Sequence, residues 1–205
     1  MKKIAFIAFL LTVCVTAGRA QESRQDVSLS GSALVEPFVG SSTDVLVHSN
    51  PAYGLLASYR FMLTPSSAIE ANYGVTDHNR IGYTTPHGHY TVNTRNMEIS
   101  AAYVRSFNFR KYNPFVEAGP GVFIFEPIRN MTTTTLDAKR QLEIGLVYGA
   151  GVAYEISPSF DIRAEYRGLI TKVPNFGETT TPPGNLTTNK WYNIYNPVIG
   201  VAYHF

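Results

Sequence analysis

The chain has 205 residues, of which 44% are hydrophobic, 13% aromatic and only 16% charged, with a formal net charge of +2. So low a charged share, against about a quarter in ordinary soluble domains, is unusual for a water-exposed globule, and no Lys/Arg stripe offers nucleic acid a phosphate track. Beyond the N-terminal segment no stretch approaches the ~18 consecutive apolar residues of a membrane-spanning helix, which excludes a helical membrane protein.

The first segment joins Lys2 and Lys3 to an apolar run from Ile4 to Ala17 and then to Gly18-Arg19-Ala20. This is the layout of a secretory signal, and cleavage is expected after Ala20. Its apolar run is too short to span a bilayer as a helix, which takes ~20 residues. The only cysteine, Cys14, lies within it, so the remainder can form no disulfide or thiolate site. Loss of Lys2, Lys3 and Arg19 leaves fourteen basic against fifteen acidic residues. The expected organisation is a signal peptide over 1–20 and one domain over 21–205.

From Val27 onward the dominant period is two, interrupted by turn residues, which predicts strands. Eight segments are expected: Val27 to Val39, Tyr53 to Leu63, Ala68 to His78, Thr94 to Phe109, Pro114 to Phe125, Lys139 to Ile156, Phe160 to Lys172, and Trp191 to Phe205. Most exceed the ~5–6 residues of a globular strand and suit the ~9–11 of a tilted membrane strand. Three connections are tight turns: Thr64 to Ser67, Arg110 to Asn113 and Ser157 to Ser159. The other four are long and polar: Gly40 to Ala52, Asn79 to Asn93, Pro127 to Ala138 and Val173 to Lys190. In an up-and-down meander that alternation gathers the long loops at one rim and the short turns at the other.

One parity of each segment is apolar, as in Leu142, Ile144, Leu146 and Tyr148, while the other mixes charge with Gly, Ala and Ser. Small residues fit a crowded eight-strand interior and are poor choices for a solvated face. Aromatics recur on the apolar parity toward both ends. Phe61, Phe107, Phe109, Phe115, Phe160, Tyr203 and Phe205 stand by the turns; Tyr53, Tyr148, Tyr166, Trp191 and Tyr195 stand toward the loops. Amphipathic rings favour the two membrane interfaces. The expected fold is an all-β, eight-stranded antiparallel up-and-down transmembrane β-barrel with its apolar face outward, closed because lipid satisfies no open strand edge.

Arg60, Glu70, Glu98, Glu117, Glu143, Arg163, Glu165 and Arg167 fall on the inward parity. Charges in a narrow lumen must be paired or hydrated, so an interior salt-bridge network is expected, with a gated ion path through the same residues as its rival. His87-Gly88-His89 and Asp77-His78 are read as surface residues, and no metal or cofactor is expected. His204 is expected at the turn-side mouth. A surface lipid hydrolase needs His, an acid and a strand-borne Ser in reach, and no strand pairs His with Ser two residues on. Threonine-rich Met131 to Thr135 and Thr179 to Gly184, with Leu186 to Asn189, would crown the loop rim.

The terminal Tyr203-His204-Phe205, with an aromatic third from the end and a final Phe, resembles the strand signal read by the outer-membrane assembly machinery. Pro114-Phe115-Val116-Glu117-Ala118-Gly119-Pro120-Gly121 resembles the fifth-strand opening of the small OmpA-type and opacity-type barrels of bacterial outer membranes. This resemblance spans the chain after the signal and implies a plugged barrel in the bacterial outer membrane. OmpA's peptidoglycan-binding domain has no counterpart after the barrel here, so cell-wall anchoring through it is not expected. The functional expectation is a non-enzymatic envelope or adhesion protein. Its partners would be outer-membrane lipid, the assembly machinery through Tyr203 and Phe205, and an extracellular ligand at the long loops. The alternatives are a narrow passive channel and a lipid A-modifying enzyme.

Overall fold

The computed structural model describes residues 24–40, 45–86, 88–128, 138–177 and 186–205. The expected signal with Cys14, His87, Met131 to Thr135 and Thr179 to Gly184 lie outside the described residues. Ten strands follow one another: β1 (Gln25–Leu34), β2 (Val39–Gly40), β3 (Leu46–Ser49), β4 (Ala52–Thr64), β5 (Ser67–Thr85), β6 (Gly88–Ser106), β7 (Tyr112–Pro127), β8 (Gln141–Ser157), β9 (Phe160–Lys172) and β10 (Trp191–His204).

Eight of them close into a barrel in the order β5-β4-β1-β10-β9-β8-β7-β6, and β6 returns to β5. Every neighbouring pair is antiparallel. The first and last strands meet in one register, from Asp26↔His204 to Ser32↔Val198, so the wall has no open edge. Alternation then decides the faces: Val27 and Leu29 point out while Ser28, Ser30 and Ser32 are buried, and Leu142, Ile144 and Leu146 point out beside inward Gly145 and Val147. Large apolar side chains such as Leu29 (62% exposed) and Ile144 (68%) face away from the lumen. Only a lipid surrounding makes that distribution favourable, since each would otherwise hold its apolar area in water.

Three expectations need correction. The stretch from Asn79 to Asn93 is no irregular loop: β5 runs on to Thr85 and β6 starts at Gly88, pairing continuously from Asn79↔Thr94 to Thr85↔Gly88. A bulge between Thr76 and Asn79, with His78 at φ 61, breaks the parity there and hides the continuation from a period-two reading. The first segment stops at Leu34, and residues of the first connection form β2 and β3, the latter pairing with β5 from Leu46↔Thr84 to Ser49↔Ile81. Finally, Phe115 points into the lumen and is buried, not in the outer aromatic belt. Its ring lies under the Arg60 guanidinium, 4.8 Å from centroid to Cζ, and covers the space left by Gly151.

The extension of β5 and β6 carries the core beyond the wall. Val45, Val47, Ile81, Tyr83 and Val92 join Phe176 and Leu186 of the last long connection, and Phe123, Phe125, Val147, Leu169 and Ile194 of the strands, in one buried apolar cluster. Tyr83 Oη donates to Pro174 O at 2.7 Å, and its ring meets Phe176 edge-on at 6.3 Å. At the loop end, therefore, the lumen is capped by an apolar core that the connections complete.

Candidate functional site

Strand β9 reads Asp161, Arg163, Glu165, Arg167 on one parity, so a single strand delivers four charged side chains to the lumen at intervals of ~7 Å. They sort into two groups. Nearer the loops, fully buried Arg167 reaches Glu98 with both terminal nitrogens, at 2.9 and 3.2 Å. Its Nε lies 3.0 Å from Glu117 and 3.1 Å from Glu165. Ser100 Oγ donates to Glu98 at 2.7 Å. One guanidinium thus gathers three carboxyl groups from β6, β7 and β9, across the lumen.

Nearer the turns, Arg60 Nε pairs with Glu70 at 2.6 Å. Arg163 binds Asp26 at 2.6 Å and lies 3.7 Å from Glu70. His204 Nε2 meets Asp161 at 2.9 Å, and its Nδ1 lies 3.7 Å from Asp26. The chain of contacts therefore runs from β10 through β9, β1 and β5 to β4. Below it opens a vestibule of about 440 Å³ lined by Arg60, Phe115, Asp161, Arg163 and His204. Above the Arg167 group lies a cavity of about 20 Å³ between Leu56, Asn96, Phe123, Leu169 and Asn196, room for about one water molecule.

Of the residues picked out by parity, the structure brings Arg60, Glu70 and Arg163 together in the lower group and Glu98, Glu117, Glu165 and Arg167 in the upper. Glu143 is apart from both: it sits at the loop-end mouth, where Gln141 Nε2 donates to it at 2.6 Å. Gln141 also accepts from the backbone N–H groups of Asn175 and Phe176, at 2.8 and 2.7 Å, and so ties the last connection to β8. The expected network leaves out Asp26, leaves out Asp161 although it shares the inward parity of Arg163, and places His204 at the mouth without a partner. Asp26 lies one residue before the expected first segment, on the parity of Ser28, Ser30 and Ser32, and that parity was its available signal. Tyr203 faces outward between Phe160 and Phe205, at ring distances of 5.1 and 6.0 Å.

A further carboxyl lies in the cap. Glu36, just past β1, is buried and accepts from Asn79 Nδ2 at 2.6 Å, while Ser49 Oγ donates to Asn79 Oδ1. No cation pairs with it among the described residues. Burial pushes this carboxyl up to about 7, against the opposing pull of hydrogen bonds from Asn79, Ser49 and Asn96. Because the folded value lies above the unfolded one, the cap gains stability that is complete below about pH 4.5 and disappears as pH rises through about 7. The span is on the order of 3 kcal/mol. Amide exchange at 46–49 and 79–83, normalised for intrinsic rates, is expected to be faster at pH 8 than at pH 5. Glu36→Gln should remove most of that difference; an unchanged difference in the variant would assign it to another group.

The model of the outer membrane protein beta-barrel domain matches residues 5–205. The chain belongs to this family. It is a protein of the bacterial outer membrane. No curated protein matches its sequence. Solved structures give the same fold at low identity. OprG from Pseudomonas aeruginosa is 12% identical with a TM-score of 0.65, over 91% of this chain and 98% of that one. Neisserial surface protein A is 16% identical with a TM-score of 0.60, over 89% and 98%. Ail, the attachment invasion locus protein of Yersinia pestis, solved with the heparin analogue sucrose octasulfate, is 15% identical with a TM-score of 0.55, over 90% and 100%.

Proposed function

We propose that this protein is a non-enzymatic, non-conducting barrel that anchors an ordered surface platform in the outer membrane. The observation that carries the reading is the Arg167 cluster directly beneath the apolar cap. Three carboxyl groups converge on one guanidinium, and above them the lumen has room for about one water before Phe123, Leu169 and Ile194 close it. An ion would have to break bidentate, charge-assisted bonds and then cross an apolar layer. Outside, β2, β3 and the β5–β6 hairpin build a small sheet whose buried side is cap and whose other side is available to an extracellular partner. Tyr203 and Phe205 would serve as the assembly signal.

Three of the described histidines are engaged by neighbours other than serine: His89 Nδ1 lies 3.0 Å from Thr84 Oγ1, His204 bonds Asp161, and His48 lies over Gly82. None of these contacts places an imidazole on a serine. In planar bilayers the purified barrel is expected to give no steady single-channel current at 100 mV. A persistent, large conductance would convert the reading to the passive channel, and release of acyl chains from lipid A would convert it to the enzyme.

A further inference from the structure

The vestibule at the turn end has the size of a small-molecule site, about 440 Å³ against a usual range of about 300–1,000 Å³, and its charged groups lie at two depths. Arg60 and Arg163, whose side chains are 3% and 6% exposed, form the floor with the buried ring of Phe115. Arg60 uses Nε on Glu70, and Arg163 uses Nη2 on Asp26. Arg60 Nη2 and Arg163 Nε have no hydrogen-bond partner among the described residues. The floor therefore holds cationic donors that the protein itself does not satisfy.

Carboxylates stand nearer the mouth. Glu155 pairs in register with Asp161 of neighbouring β9, two residues closer to the turn than Arg163, which is about 7 Å along the strand. Asp161 is engaged by His204, whereas the Glu155 carboxylate has no partner among the described residues. Arg110, exposed on the turn between β6 and β7, also lines the opening, where a solvated charge steers anions inward more than it holds them. Between floor and mouth stand neutral hydrogen-bonding groups. Asn108 Nδ2 donates to Pro65 O at 3.0 Å and leaves its Oδ1 to accept, and Ser106 and Asn113 line the same space.

We propose that this vestibule binds a short peptide of two or three residues with both termini free, its α-carboxylate on Arg60 and Arg163 and its α-ammonium at Glu155. The separation of the two depths sets the length: at about 3.4 Å per extended residue, two or three residues span it and a single amino acid does not. The presence of both signs sets the charge, because a phosphate dianion would meet Glu155 and Asp161 as well as the arginines, whereas a zwitterion finds a complement at each end. Peptide N–H groups between the ends meet the acceptors of Asn108 and Ser106. The short-turn end of outer-membrane barrels faces the periplasm, so the ligand is a periplasmic one. The inference is independent of what the loop-end platform contacts and of whether the lumen conducts.

The test uses the full barrel in phosphatidylcholine nanodiscs with isotope-labelled methionine methyl groups, read by NMR. Met62 lines the vestibule, and Met97, which meets Tyr73 Oη on the outer face, is the internal reference. Trialanine should shift Met62 saturably and leave Met97 in place. Trialanine amide and N-acetyl-trialanine should each bind at least about tenfold more weakly, the loss of one charge-assisted contact. Free alanine and inorganic phosphate should not displace trialanine. Glu155→Gln, with folding checked by the heat-modifiable band, should weaken trialanine by about tenfold and leave N-acetyl-trialanine unchanged, since the contact it removes is already missing there. Arg110→Gln should lower affinity by no more than about fivefold; a loss as large as that of the amide would move the carboxylate to the rim and overturn the assignment. An unmoved Met62, an equal shift at Met97, equal affinity for the amide or displacement by phosphate overturns the proposal. So does a Glu155→Gln barrel that binds trialanine as the parent does.

Discussion

Replacing Arg167 with methionine is expected to destabilise the folded barrel by about 3–5 kcal/mol, the usual result of removing one partner from a buried ion cluster. Methionine fills much of the volume, so the effect is electrostatic: Glu98, Glu117 and Glu165 would be left facing one another in the lumen without their common cation. Adding Glu98→Gln, Glu117→Gln and Glu165→Gln to Arg167→Met should restore most of the loss, because neutral amides can hydrogen-bond one another. Arg167→Lys should fall between, since an ammonium cannot repeat the two-pronged contact with Glu98. Urea titration of the heat-modifiable band in lipid vesicles measures all three. An Arg167→Met barrel as resistant as the parent would show that the cluster contributes nothing to stability.

Gly119→Ala is expected to be among the most damaging small substitutions in the wall. A Cβ there would collide with the Ala101 carbonyl oxygen and stand 2.7 Å from Ala102 Cα, both backbone atoms of the neighbouring strand. Nothing flexible can give way. The adjacent Pro120 has no N–H to donate, and β6–β7 pairing already skips this point, between Ser100↔Gly121 and Tyr103↔Ala118. Overpacking of this kind costs about 1–3 kcal/mol and occasionally more, here at a point where β7 is paired with β8 but not with β6. Gly31→Ala is the matching control, because its added methyl would meet only the Ile199 carbonyl at 3.9 Å. Yield of heat-modifiable barrel on refolding should drop sharply for the first and stay level for the second; equal yields would remove the close-approach argument.

The wall was legible because a lipid-facing strand writes its two faces as alternate letters. Leu142, Ile144 and Leu146 against Glu143, Gly145 and Val147 needed no partner to be interpreted. The same rule fails where an apolar residue belongs inside: chemistry alone points Phe115 outward, yet it fills the space above Gly151 and stacks under Arg60. It failed again at Asp77-His78, where an extra residue shifts the parity and turns a continuing hairpin into an apparent loop. Inward charges followed from parity, but their pairing did not. Arg163 and Asp26 are 137 residues apart, and only the meeting of β1 with β10, and of β10 with β9, brings them within 2.6 Å. The cap was invisible for a related reason: Val45, Val47, Phe176 and Leu186 lie in stretches that read as polar, and they become a core only when three connections converge.

The ion clusters and the cap both presuppose which side of the wall touches acyl chains. Proton-detected NMR of the barrel in bilayers can read this without mutation, through cross-peaks between lipid methylenes and protein methyl groups. Leu29, Ile144, Leu146 and Ile199, which point outward, should show them strongly, and Val104, Val147, Leu169 and Ile194, which are buried in the interior, should show none. Acyl contacts at the second set with none at the first would mean that the barrel is turned inside out and that the structure described here is wrong.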